Sequence, residues 1–75
     1  MKKVRMAIIG LGNRGYGNMQ AVMSFDDVQI TAVCDVYTDR AERAAAKAEE
    51  KYGVRPFSTT DYREVLTRGD VDCVM

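Results

Sequence analysis

The 75-residue sequence predicts an α/β fold built on a doubly wound parallel sheet, and three observations carry that prediction. Short apolar runs alternate with stretches of helical spacing, in the order strand, helix, strand, helix, strand, helix, strand. The turn Gly10-Leu11-Gly12-Asn13-Arg14-Gly15 stands between the first run and the first helical stretch. An acidic residue, Asp35, closes the second run 20 residues beyond Gly15. Crossovers between parallel strands of one sheet are almost always right-handed. The strand order expected is therefore 3-2-1-4, the first half of a doubly wound sheet.

Each element has its own justification. Val4, Met6 and Ile8 alternate with Arg5, Ala7 and Ile9, and both faces turn apolar towards the end of the run. A strand covered on both sides reads this way. After the glycine turn, Tyr16, Met19, Val22 and Met23 recur at three- and four-residue spacing and make one apolar helix face. Val28 to Cys34 is rich in β-branched residues and suits a second buried strand. Asp39 and Glu42 have the spacing of a capping box, with Thr38 the other candidate cap. The helix that follows sets Ala41, Ala44, Ala45, Ala48 and Tyr52 on one side, mostly small enough to lie close to a sheet. Gly53 stops it.

Arg55-Pro56-Phe57-Ser58 predicts a short strand, with Pro56 best placed as its first residue. Asp61 and Glu64 suggest a second capping box. It opens a short helix with Tyr62, Val65 and Leu66 inward and Gly69 as terminator. Asp72-Cys73-Val74-Met75 begins a fourth apolar run. The run breaks off where a central strand should continue. Residues 1–75 are therefore expected to be the N-terminal part of a longer domain, truncated in its fourth strand.

Composition narrows the function classes. Hydrophobic residues make up 47% of the chain, the content of a globular domain. Lys plus Arg equals Asp plus Glu, 11 each, with the signs interleaved. No basic excess favours a nucleic-acid partner. The apolar stretch after Met1-Lys2-Lys3 is broken by Gly10 and Gly12, too soon for a signal peptide. No stretch reaches the length of a membrane span, so a cytoplasmic protein without a membrane partner is expected. Histidine is absent, which removes Ser–His and Cys–His nucleophile pairs and most zinc sites. No catalytic residue and no metal ligand is assigned. Cys34 and Cys73 sit in apolar runs, as small hydrophobes rather than a disulfide pair.

The glycine turn carries the chemistry. G-x-G-x-x-G between a strand and a helix is the dinucleotide-binding fingerprint of Rossmann-type domains. Gly10 permits the tight turn, Gly12 lets the backbone approach a pyrophosphate, and Gly15 lets the helix pack closely on the strand. Leu11, Asn13 and Arg14 should turn backbone N–H groups to the pyrophosphate or lie beside those that do, at the positive end of the helix. The Arg14 side chain either reaches a phosphate or the adenine face, or is solvated; both readings stay open. The Asp35 carboxylate can accept hydrogen bonds from both adenosine ribose hydroxyls and would repel a 2′-phosphate. NAD is therefore expected ahead of NADP. Arg40 keeps NADP open, since an arginine near this loop can accept a 2′-phosphate.

Four blocks in this order resemble a known family. Met6-Ala-Ile-Ile-Gly-Leu-Gly-Asn-Arg-Gly15, Thr31-Ala-Val-Cys-Asp35, Tyr62-Arg-Glu-Val-Leu66 and Asp70-Val-Asp-Cys-Val74 resemble the Gfo/Idh/MocA oxidoreductases, the glucose–fructose oxidoreductase and inositol dehydrogenase relatives. The resemblance covers essentially the whole chain. It implies a nicotinamide-dependent enzyme that moves hydride to or from a sugar, cyclic polyol or related substrate. It also implies a second α/β domain that supplies most of the substrate site and a homo-oligomer interface. The family's Glu-Lys-Pro segment and its later Asp/His pair are not among these residues, so the chain by itself is expected to be inactive. Two alternatives remain. One is an NAD-assisted glycosidase or lyase of the same family. The other is a non-catalytic module that binds a nucleotide or a partner.

Overall fold

The computed structural model describes residues 4–75, with the elements in the expected order. Strands β1 (Val4–Ile9), β2 (Val28–Cys34), β3 (Phe57–Thr59) and β4 (Cys73–Val74) form one sheet. Its order is β3-β2-β1-β4 and its pairings are parallel. The crossovers are α1 (Asn13–Met23), α2 (Thr38–Tyr52) and α3 (Tyr62–Leu66).

The sheet separates two apolar cores. On one face Ile8, Ile30 and Val33 meet Leu11, Met19 and Met23 and the buried alanines Ala44, Ala45 and Ala48 of α2. Tyr16, Val22 and Tyr52 pack around them, so the apolar faces expected for α1 and α2 are the ones observed. Gly53 ends α2 in the left-handed region, with φ of 77°. On the other face Ala7, Ala32 and Cys34 meet Val65, with Ile9, Phe57 and Val71 at the margin.

A β-bulge explains how Ile30 and Val33 of β2 come to share one core. Met6 pairs with Ile30, but Ala7 pairs with Ala32, so Thr31 is an extra residue on β2. Strict alternation would send Ile30 and Val33 to opposite faces. The bulge resets the alternation, and both side chains enter the α1/α2 core. The Thr31 hydroxyl donates to the Asp70 carbonyl at 2.8 Å and ties the bulge to the segment before β4. That segment is also clamped to β1. Arg5 makes a two-point ion pair with Asp72, with Nε to Oδ2 at 3.1 Å and Nη2 to Oδ1 at 3.0 Å.

Local details differ from expectation in five respects. Neither Thr38 nor Asp39 caps α2: Tyr37 holds the cap position without a side-chain bond. Glu42 instead takes the Arg55 guanidinium and the Ser58 hydroxyl. Pro56 lies just outside β3, which starts at Phe57. Asp61 does cap α3, accepting the Arg63 N–H at 3.0 Å, but Glu64 does not complete the box. It accepts from the Thr59 hydroxyl, and Thr59 Oγ1 in turn accepts the Asp61 N–H. Finally, α3 ends at Leu66 with Thr67 as its cap, short of Gly69. Val65 is buried, whereas Tyr62 and Leu66 face outward.

Candidate functional site

The glycine turn joins the end of β1 to the start of α1, at the C-terminal edge of the sheet. Gly10 has φ of 89°, a conformation open to glycine and strained for other residues, and its N–H donates to the Cys34 carbonyl at 2.9 Å. A Cβ on Gly15 would overlap the Gly10 carbonyl, so Gly15 is required by the crossing of helix and turn. Gly12 is different. Among the described residues a Cβ there would meet only Arg40 Nη1, at an ordinary 3.7 Å. Packing within the chain does not demand a glycine at 12; the bare backbone leaves room for a ligand. Gly12 is the N-cap of α1, no side chain among the described residues caps that helix, and its first turn carries no acidic residue. Its first amides lack intrahelical partners and keep their positive character.

Asp35 sits where the turn meets the β2–α2 loop. It is 6% exposed, the one polar or charged residue among the buried positions described. Its Oδ2 accepts the Leu11 N–H at 2.6 Å and its Oδ1 accepts the Tyr37 N–H at 2.9 Å. Its own N–H donates to the Thr59 carbonyl at 3.2 Å. Burial pushes the carboxyl pKa up, but the Tyr37 and Leu11 amides, with the Arg40 charge, outweigh it and hold the group below its ordinary value. A buried carboxylate is thus stable in its ionised form. Among the described residues each oxygen has one hydrogen-bond partner, and each keeps capacity for another donor.

Of the two places expected for Leu11, the structure leaves the one beside the phosphate-facing amides: its N–H is spent on Asp35, and its side chain is buried in the α1/α2 core. Arg14 is exposed and is not part of the cleft lining; the side chain of Asn13 lies outside the described residues, while its backbone opens α1. Arg40 is over the turn: its guanidinium stacks 4.7 Å from the centroid of the Tyr37 ring and reaches towards Gly12.

These groups frame a cleft of about 310 Å³ lined by Gly10, Gly12, Asp35, Val36, Arg40 and Tyr62, among others. Val36 and Tyr62 were not anticipated from the sequence. Val36 directly follows the acid that ends β2, and Tyr62 directly follows the cap of α3; adjacency to those two signals was the available clue. Cys34, which also lines the cleft, has its thiol pKa raised by burial and by the neighbouring Asp35. Among the described residues no cluster of His, Cys, Asp or Glu could hold a metal ion, and no helix is long and apolar enough to cross a membrane.

A 3-2-1-4 parallel sheet, a glycine turn opening a helix and an acid at the end of the second strand define a Rossmann-type dinucleotide-binding unit. Residues 4–75 match the family described as "Oxidoreductase family, NAD-binding Rossmann fold". The chain belongs to this family, the Gfo/Idh/MocA oxidoreductases.

It is 45% identical over 75 residues to a protein named "Glycosyl hydrolase family 109 protein" from Streptomyces coelicolor, covering 95% of this chain and 16% of that protein. The chain thus spans about one sixth of the length of that curated relative. Its backbone is similar to myo-inositol dehydrogenase from Lactobacillus casei, solved with NAD(H) and myo-inositol (TM-score 0.82, 22% identity, 96% of this chain and 20% of that one). It is also similar to a 3-ketoreductase from Actinomadura kijaniata, solved with NADP and TDP-benzene (TM-score 0.76, 26% identity, 97% and 21%).

Proposed function

We propose that this chain binds NAD as the front part of the nucleotide domain of a larger Gfo/Idh/MocA enzyme. The observation that carries this reading is the ionised Asp35 carboxylate, 6% exposed, bonded to both the glycine turn and the β2–α2 loop. Its remaining acceptor capacity suits the two hydroxyls of an adenosine ribose and repels a 2′-phosphate, which favours NAD over NADP. The bare backbone at Gly12 leaves space for the pyrophosphate against the N-terminus of α1. Arg40, held by Tyr37 beside Gly12, supplies the nearest positive charge. Gly10 and Gly15 shape the turn; Leu11 acts through its amide to Asp35 and not as a phosphate donor. Asn13 and Arg14 contribute first-turn backbone.

NAD, when bound, supplies a nicotinamide ring that accepts or returns hydride at C4. The residues of this chain bind and orient the adenosine and phosphate end. In this reading a second domain of the whole protein carries the substrate residues and the oligomer contacts, and the 75 residues alone do not turn over. For the whole protein, the 45% identity to a family 109 glycosyl hydrolase supports an NAD-assisted glycosidase, in which the sugar is transiently oxidised and then reduced again. The 26% identity to a ketoreductase supports the second reading, net hydride transfer to or from a sugar-like substrate.

Calorimetric titration of the chain with NAD and with NADP tests the first level: NAD should bind the more tightly, and absence of NAD binding would sink the reading. The second level needs the whole protein, p-nitrophenyl glycosides and free sugars or polyols. Nitrophenol release that requires NAD but accumulates no NADH marks the glycosidase. Stoichiometric NADH from free sugars or polyols marks the dehydrogenase.

A further inference from the structure

We infer that Tyr62 is a binding residue, its ring forming the platform on which the adenine of the dinucleotide stacks; this rests on the NAD reading above. Tyr62 opens α3 and is 56% exposed, although it belongs to a helix whose Val65 is fully buried. Among the described residues its ring and hydroxyl have no hydrogen-bond or ring partner. It shares the cleft with Asp35, and so does Val36, which is 78% exposed. Two large apolar side chains turned to solvent around a buried carboxylate make a mouth that is apolar outside and anionic within. A ribose carrying a flat heteroaromatic base has that same division. With the ribose on Asp35 and the pyrophosphate at Gly12, the base is the part left to leave the cleft past Val36 and Tyr62.

The backbone beneath the ring is fixed before any ligand binds. Asp35 N–H holds the Thr59 carbonyl, the Asp61 N–H bonds Thr59 Oγ1, and Asp61 caps α3 through the Arg63 N–H. The β3–α3 corner is thus tied directly to the residue proposed to take the ribose. A platform held this way loses little freedom on binding. Stacking of a base on a tyrosine is tolerant of the substituents on either ring and does not need the phenol hydroxyl.

The test uses the 75-residue chain, NAD and ADP-ribose as calorimetric probes, and the Tyr62 ring resonances in NMR. Tyr62→Ala is expected to weaken both ligands about tenfold, Tyr62→Phe by less than about twofold, and both ligands should shift the Tyr62 ring protons upfield. Wild-type chain that binds neither ligand overturns the NAD reading and this inference with it. Wild-type chain that binds both, with unmoved Tyr62 resonances or undiminished affinity in Tyr62→Ala, overturns this inference alone. A Tyr62→Phe variant as weak as Tyr62→Ala also overturns it, since the hydroxyl would then be the contact. If Tyr62→Ala loses its circular dichroism, the wild-type resonances and the Phe variant decide.

Discussion

The Leu11 N–H donates to Asp35 Oδ2 at 2.6 Å, across 24 residues of sequence. The second oxygen of the same carboxylate holds the Tyr37 N–H. One side chain thus joins the glycine turn to the loop that starts α2. Asp35 has a structural duty in the free chain as well as the proposed one towards ribose, and the two can be separated by experiment.

Asp35→Asn keeps the size but replaces one acceptor with an amide donor, so one of the two main-chain N–H groups loses its partner. A buried donor left unpaired costs about 1–3 kcal/mol. Urea unfolding should show a loss of that order in the absence of ligand, and NAD affinity should fall as well. An unchanged unfolding midpoint would mean that the main-chain bond lost in the variant contributes nothing.

The pH dependence follows from the same group. The Asp35 pKa is lowered in the folded chain, so the folded state holds the proton less tightly than the unfolded state. Its stabilising contribution is complete above the unfolded value of about 3.9 and is lost as pH falls through the lower folded value. Glu42, Asp61 and Asp70 are lowered too, each chiefly through side-chain hydrogen bonds. Stability should therefore decline below about pH 4–5, and Asp35→Asn should flatten that decline. A wild-type midpoint that rises on acidification would contradict the assignment.

Gly12 and Gly15 should behave oppositely although both belong to one motif. Gly15→Ala forces a methyl into the Gly10 carbonyl and should lower the melting temperature or prevent folding. Gly12→Ala meets only the flexible end of Arg40 and should melt within a few degrees of wild type. It should nevertheless bind NAD at least tenfold more weakly, because the methyl enters the space left for the pyrophosphate. Equal effects of the two substitutions on folding would refute the distinction.

The sequence pattern was sufficient for the sheet order, the inward faces of α1 and α2, the stop of α2 at Gly53 and the meeting of the glycine turn with Asp35. These rest on long periodic runs or on residues whose chemistry allows few conformations. The misread places are short or depend on competition. Helix α3 has five residues, too few for a period to show which side is inward, so the spacing points Tyr62 to the core while the structure turns it outward. Asp39 and Glu42 had capping-box spacing, but Arg55 and Ser58 offered Glu42 better partners across space. The use of the Leu11 amide by Asp35 leaves no trace in spacing.

Nor was the bulge at Thr31 visible, since one extra residue in an apolar run changes no motif. Thr31→Val keeps the shape and removes the hydroxyl bond to the Asp70 carbonyl. The expected cost is about 1 kcal/mol in denaturant unfolding, with NAD affinity unchanged. A change in NAD affinity comparable to that of Asp35→Asn would show that the bulge reaches the site.

The placement of β1 between β2 and β4 also governs the timetable of folding. A chain emerging from the ribosome can form the β1–β2 pair and bring Leu11 to Asp35 once little more than its first half is free. The other edge of β1 must wait for Cys73 and Val74, and the Arg5–Asp72 clamp closes a loop of 67 residues. Until then a strand edge in the middle of the future sheet stands open, next to an already assembled glycine turn. The nascent domain is thus most exposed to misassociation after its nucleotide site has begun to form and before its sheet is complete.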